Sequence, residues 1–271
     1  MRKHLTRLLP LVLLALPAAV FGQALPTSQP NFLRIIREEV KPGRVADHAK
    51  IEAGWPAAFE KANYPDYYIA LESMTGTNEA WFLIPSASHA AEAEMMKREA
   101  GDPVLAAELE RLSRADGEVL SNIRTLILRA RKDLSYGAFP DVGKIRFYEI
   151  SFFRVRPGGE EAFAAAAKAW GAAAARAGQS VSYRVNEVLA GMPGPTYVIF
   201  SSVTSFADFD KTLAADEAIM KSFTPEDGKV FQKFTESAVN METHRFRVSP
   251  TMSYVPKDVR AQDPAFWNPK K

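Results

Sequence analysis

His48 and Glu52 stand four residues apart, the spacing that stacks side chains on one face of an α-helix, and Trp55 and Phe59 continue that face. An imidazole beside a carboxylate can take up and return a proton, so the pair is a candidate for acid/base catalysis. The same spacing also describes an amphipathic stripe turned toward a core, in which His48 is a structural residue. His244 lies on a β-rich run with Glu242 and Phe246 on the same strand face, where a histidine can carry protons or hold a haem iron. His89, in a Ser-Ala-Ser-His context, reads as part of a surface helix start.

Candidate ligand-binding residues lie on the strands. Arg34 and Glu149 occupy matching positions on two strand-like runs, where they could meet as a salt bridge across a cavity or leave Arg34 free for an anionic group. Tyr68 and Tyr183, with Glu72 and Glu187 on the same strand face, could line a cavity or pack at an interface with a polar rim. Thr125 with Arg129, and Thr243 with Arg247, share strand parity in the same way. Trp55 and the other aromatic residues, 11% of the chain, suit an apolar pocket as well as a core. His-Glu-x-x-His, Gly-x-Ser-x-Gly and a Gly-rich phosphate loop are absent from the sequence, and so is cysteine, which removes the zinc-hydrolase, α/β-hydrolase, nucleotide-binding and thiol chemistries.

The elements that must hold these residues come in two similar series. Val40-Lys41-Pro42-Gly43 followed by Trp55 recurs as Val155-Arg156-Pro157-Gly158 followed by Trp170, an offset of 115. Tyr68, Glu72 and Gly76 fall on Tyr183, Glu187 and Gly191 at that offset, and Asn122, Thr125, Arg129, Ser135 and Tyr136 fall on Asn240, Thr243, Arg247, Ser253 and Tyr254 at 118. Loop insertions account for the drift. Each copy reads as a strand ended by Pro-Gly, a helix (Val45–Lys61 or Glu160–Ala177), a strand pair, a second helical region and a closing strand. That order is βαββαβ, a ferredoxin-like unit with helices on one sheet face and the other face bare. The expected fold is therefore α+β, with two tandem units packing their bare antiparallel sheets face to face around a modest apolar cavity. The units are placed at residues 29–136 and 144–254, with a linker at 137–143 and an irregular tail at 255–271 whose Phe266 and Trp267 could tuck against the body.

Residues 1–24 have the form of a secretory signal peptide, with Arg2, Lys3 and Arg7 ahead of an apolar run from Leu8 to Phe21 and a small-residue zone after it. The run, broken by Pro10 and Pro17, is shorter than the roughly 20 residues a bilayer needs. Export to the periplasm or the exterior is the expectation, with no membrane partner after cleavage. Of the 271 residues, 34 are Lys or Arg and 32 Asp or Glu, and without the leader acids outnumber bases by one. No basic footprint for nucleic acid is left.

A strand ending in Val-[Lys/Arg]-Pro-Gly and running straight into a helix inside a βαββαβ unit resembles the dimeric α/β-barrel superfamily, which includes NIPSNAP-like and antibiotic-biosynthesis-monooxygenase-like proteins. The resemblance spans residues 30–254 and implies a pseudo-dimer within one chain. It also implies a range of activities: cofactor-free oxygenases, haem enzymes, isomerases and proteins of unknown activity. The duplicated arrangement is similar to chlorite-dismutase-like and dye-decolourising peroxidases, which makes haem the one cofactor the resemblance adds, although their surrounding sequence patterns are absent. The functional expectation is a small hydrophobic or aromatic ligand held between two sheets. The alternatives are an oxygenase-like or haem-dependent enzyme and a non-catalytic interaction module.

Overall fold

The computed structural model describes residues 25–268, so the proposed leader lies outside the described residues. The first half runs β1 (Phe32–Val40), α1 (Val45–Glu52), α2 (Gly54–Lys61), β2 (Ile69–Ser73), β3 (Glu79–Ser86), α3 (His89–Gly101), α4 (Pro103–Gly117) and β4 (Leu120–Ala130). The second runs β5 (Phe147–Val155), α5 (Glu160–Arg176), β6 (Tyr183–Ala190), β7 (Thr196–Val203), α6 (Asp208–Lys221), α7 (Pro225–Ser237) and β8 (Ala238–Val248). Two short helices, α8 (Lys257–Gln262) and α9 (Pro264–Trp267), follow.

The Pro-Gly turns after β1 and β5 stop each strand for a local reason. Gly43 and Gly158 sit at φ +79° and +88°, a left-handed conformation that a side chain would strain. Helices restart where the sequence supplies caps. The Asp102 side chain accepts from the Val104 and Leu105 amides ahead of α4, and Thr224 with Asp227 forms a capping box ahead of α7; Pro103 and Pro225 occupy the first helical positions. The single helix expected over Val45–Lys61 is two, broken at Ala53. The break brings α4 close, since a Cβ on Gly54 would lie 2.6 Å from Leu112 Cδ2.

The strands close into one antiparallel barrel in the order β1-β3-β2-β8-β5-β7-β6-β4. The resemblance implies a pseudo-dimeric α/β barrel, and the two half-sheets do close into one barrel, joined at both edges. An open sheet leaves unpaired amides and carbonyls at both edges, and here β2 pairs with β8 and β4 with β6 to remove them. Ile35, Leu71, Trp81, Leu126, Ile150 and Phe246 fill the interior, all essentially without solvent contact. The Trp81 ring stands 4.4 Å from Phe246 and 5.8 Å from Phe152. The space between the two half-sheets is thus mostly packed core; cavities of about 630 and 260 Å³ lie on the outer faces of the strands, beneath the helices, and one of about 610 Å³ lies between the end of α2 and the tail.

The tail docks on the barrel: Trp267 is buried and its Nε1 donates to the Gly143 carbonyl at 3.1 Å, while the Arg146 guanidinium lies 3.7 Å from the Phe266 ring centre. Among the described residues no helix is long and apolar enough to cross a membrane.

Candidate functional site

Strand alternation sends Leu33, Ile35 and Arg37 into the barrel, so Arg34, Ile36 and Glu38 point outward under the helices. There Glu38 meets His48 and Glu52 from α1 and Asp116 from the last turn of α4. His48 Nε2 lies 3.1 Å from Glu38 Oε2 and 3.5 Å from Asp116 Oδ1, and one donor atom from each of the four residues falls within 4.8 Å of every other. All four are buried: His48 is 2% exposed, Glu52 3%, Asp116 4% and Glu38 7%.

This is an electrostatically costly arrangement, because buried carboxylates repel one another in a medium that screens poorly. Burial, then the charges of Glu38 and Asp116, holds the Glu52 carboxyl well above the usual range; the nearby Trp55 indole pulls weakly the other way without completing a hydrogen bond. Asp116 is pushed up to about 7, by burial first and Glu38 second, with His48 opposing. Glu52 Oε1 and Asp116 Oδ1 have no hydrogen-bond partner.

Glu38 and Glu52 line a cavity of about 260 Å³ together with Arg34, Asp66 and Glu99, and its apolar walls include Trp55, Phe59, Phe82 and Met95, with Tyr64 and Tyr68. Tyr68 remains a phenol there, its value raised by burial and then by Glu52 and Glu38.

At the matching place in the second half the cluster is replaced by hydrocarbon. The β1–β4 pair Val40↔Leu120 corresponds to the β5–β8 pair Val155↔Ala238, so Glu38, His48, Glu52 and Asp116 correspond to Phe153, Phe163, Ala167 and Phe234. The three phenylalanines pack with each pair of ring centres 5.9 Å apart. They border a larger cavity of about 630 Å³ under α5, α6 and α7, which Trp170, Tyr183 and Phe231 also line. Its charged groups are largely neutralised: Arg245 Nε donates to Glu149 Oε2 at 2.9 Å and Lys211 Nζ to Asp208 Oδ1 at 2.6 Å. Asp216 is the exception, raised by burial and then by the charge of Glu149.

The structure brings His48, Glu52, Trp55 and Tyr68 to one site and adds Glu38 and Asp116, which motif reasoning passed over. The signal for both was the repeat alignment, which sets each opposite a phenylalanine, together with the outward parity of Glu38. Arg34 and Glu149 do not meet. Both point out of the barrel instead of into it, and Arg34 Nε lies 3.2 Å from Glu92 Oε1 while Glu149 pairs with Arg245. Tyr183 lies under the helices of the second half, its hydroxyl donating to the Ala167 carbonyl at 3.0 Å, so Tyr68 and Tyr183 line separate cavities. His244 faces inward near one end of the barrel, with Nε2 3.4 Å from Glu242 Oε2 and the ring 6.4 Å from Phe152, and lines neither cavity. His89 starts α3 behind the cap residue Ser88 and packs 4.5 Å from Phe32.

No protein-family model matches the sequence, and no curated protein matches it. Solved structures do match in fold. A monooxygenase candidate from Fusobacterium nucleatum superposes with TM-score 0.55 at 8% identity, covering 81% of this chain and 93% of its own. An anthrone oxidase-like protein gives TM-score 0.53 at 16% identity over 84% of this chain and 95% of its own. Chlorite dismutase from Candidatus Nitrospira defluvii gives 0.50 at 10% identity over 87% and 96%. All three have the dimeric α/β-barrel fold, and at such identities the likeness is one of fold alone.

Proposed function

We propose that the protein binds a small hydrophobic or aromatic molecule in the 630 Å³ cavity of its second half. Size and lining support this reading: ligand sites run from about 300 to 1,000 Å³ with mostly apolar walls and a few polar groups. The first-half cavity, at about 260 Å³, falls below that range. Phe163, Trp170, Phe231 and Phe234 supply flat apolar surface, and Asp216, whose carboxyl is held above its ordinary range by burial and then by the charge of Glu149, supplies a polar group for a phenol. Titration with 2-naphthol, followed by Trp170 fluorescence against a Trp170→Phe control, is the test. Saturable quenching that Ala215→Trp abolishes without changing the fold is expected; quenching that survives this filled cavity overturns the reading.

A second reading, an oxygenase-like enzyme, is favoured by one observation: two buried carboxylates face the first-half cavity, where either can act as a general base toward an acidic C–H or O–H. Here Glu52 exchanges the proton, His48 positions it through the shared cluster, and Trp55 and Tyr68 hold the substrate. The likeness to an anthrone oxidase-like fold makes anthrone the natural probe. Oxygen uptake in its presence, lost in Glu52→Gln, is the expected result, and uptake equal to that of buffer removes this reading.

The likeness to chlorite dismutase raises haem. The residues present do not fit it well. Haem iron is held by His, Cys, Met or Tyr; of these, the 630 Å³ cavity offers Tyr183 alone, and its hydroxyl is engaged by the Ala167 carbonyl.

We further infer that the chain is a tandem of two βαββαβ units, supported by the corresponding strand registers of its halves, and that it is exported by its leader. Amino-terminal sequencing of protein recovered from the periplasm tests the second point: a start at Gln23 or Leu25 is expected, and an intact Met1 contradicts it.

A further inference from the structure

The Glu38–His48–Glu52–Asp116 cluster has the composition of a ligand set. It offers one imidazole nitrogen and three carboxylates from three separate elements, all converging on one buried point. Among the described residues no Lys or Arg pairs with any of these carboxylates; the basic side chain beside them is His48. Buried carboxylates are ordinarily paired with a base or bound to a metal, because an unpaired charge in the interior is heavily penalised.

A second observation is independent of this charge count. Glu52 Oε1 and Asp116 Oδ1 are shielded from solvent without a hydrogen-bond partner, although Glu52 is only 3% exposed. A buried oxygen left without a partner loses the hydrogen bonds it had to water, so such atoms are ordinarily satisfied in a protein interior. Both belong to side chains that converge on the imidazole, so a group placed among them would satisfy both.

From this geometry we infer that Glu38, His48, Glu52 and Asp116 bind one divalent transition-metal ion, with manganese, iron and zinc as the fitting class. Donors about 2.1 Å from a shared ion stand roughly 3 to 4.2 Å from one another, so the observed limit of 4.8 Å requires only a small inward movement of side chains. An imidazole among carboxylates suits these ions, while an all-oxygen shell would suit magnesium or calcium. The second half shows the fold does not need the cluster: Phe153, Phe163, Ala167 and Phe234 fill the corresponding space with a packed aromatic group. The inference is independent of the naphthol-binding reading, which concerns the other half.

The test uses EDTA-treated protein titrated with Mn²⁺, the free ion being followed by electron paramagnetic resonance. One equivalent per chain should leave the free-ion signal, Zn²⁺ should displace it, and Glu52→Gln and Asp116→Asn should each weaken binding roughly tenfold or more while Glu242→Gln does not. Bound Mn²⁺ should also broaden the ring resonances of His48 and spare those of His89 and His244, a readout that needs no variant and holds if a substitution prevents folding. No uptake at millimolar Mn²⁺ or Zn²⁺, uptake unaltered in both cluster variants, or broadening centred on His244 overturns the inference. Naphthol quenching in the metal-free protein scores the ligand reading separately, so either can fail alone.

Discussion

Arg129 donates to Glu187 at 2.7 Å across the join between β4 and β6, and Arg247 donates to Glu72 at the same 2.7 Å across the join between β8 and β2. Each pair takes its arginine from one half and its glutamate from the other, so one contact is made twice, once at each place where the half-sheets meet. The pairs mark the joins without being what holds them together. Arg129 and Arg247 are more than half exposed, and exposed ion pairs contribute about 0–1 kcal/mol. Leu128, one residue earlier on β4, is fully buried opposite Val188. Urea denaturation should therefore show Arg129→Ala costing less than about 1 kcal/mol and Leu128→Ala roughly 2–5 kcal/mol. A larger loss for the arginine would mean that charge closes the barrel.

The second prediction exchanges chemistry between the halves. With metal removed, converting Glu38→Phe, His48→Phe, Glu52→Ala and Asp116→Phe together installs the aromatic packing already present around Phe163 and Phe234. Replacing a buried ionic group by hydrophobic residues of similar volume is neutral or stabilising by about 1–4 kcal/mol. His48→Phe alone leaves three carboxylates without their imidazole and should destabilise, by roughly 3–5 kcal/mol as for a broken buried ion pair. Chemical denaturation of the two variants beside the parent decides: a stable single variant together with an unstable quadruple one would show that the two halves do not pack alike.

Much of this was legible before any coordinates. The Pro-Gly strand ends and the order of strands and helices follow from local preference, and the matching positions of Tyr68 with Tyr183 and of Glu72 with Glu187 follow from counting. What local reasoning could not supply was the facing of each strand. Leu33, Ile35, Arg34 and Ile36 alternate in position but not in polarity, since both strand faces are covered, one by the barrel interior and one by helices. Without a polar face to mark the outside, the sequence alone does not show that Arg34 and Glu149 point away from the barrel interior. Asp116 is hidden for another reason: it lies at the end of a helix 64 residues after Glu52, and it is the pairing of β1 with β4 that brings α4 against α1.

The third prediction concerns haem. His244, the histidine with the most solvent contact near the barrel interior, is hemmed in by Gly76, where a Cβ would stand 3.2 Å from its Nδ1, and by Glu242. His48 is enclosed by carboxylates and His89 rests on Phe32. None of the three is presented to the 630 Å³ cavity. Haemin added to the protein should give no Soret shift attributable to a histidine-ligated iron, and His244→Ala should leave the spectrum as it was. A sharp Soret band lost in that variant would restore the haem reading.

The fourth prediction is a pH dependence located at Asp216. Its carboxyl is raised above the ordinary 3.8 by partial burial and then by Glu149, whose own charge is shared with Arg245. Asp208 and Lys211, paired with each other, line the same cavity. When the folded value exceeds the unfolded one, the protonated group contributes stability that is complete below the unfolded value and is lost as pH rises through the folded value. The loss attributable to Asp216 therefore begins near pH 3.8 and ends above its raised folded value, the reverse of the trend for a salt-bridged aspartate. Asp216→Asn keeps the shape and removes the titration, so its stability relative to the parent should improve as pH is raised through this window. Naphthol affinity should change over the same range in the parent, because the carboxyl can donate to the naphthol oxygen when protonated and only accept from its hydroxyl when ionised, and should stay level in the asparagine variant, whose amide does not titrate. Parallel pH profiles of stability and naphthol affinity in the two proteins would mean that Asp216 neither titrates in this range nor faces the ligand.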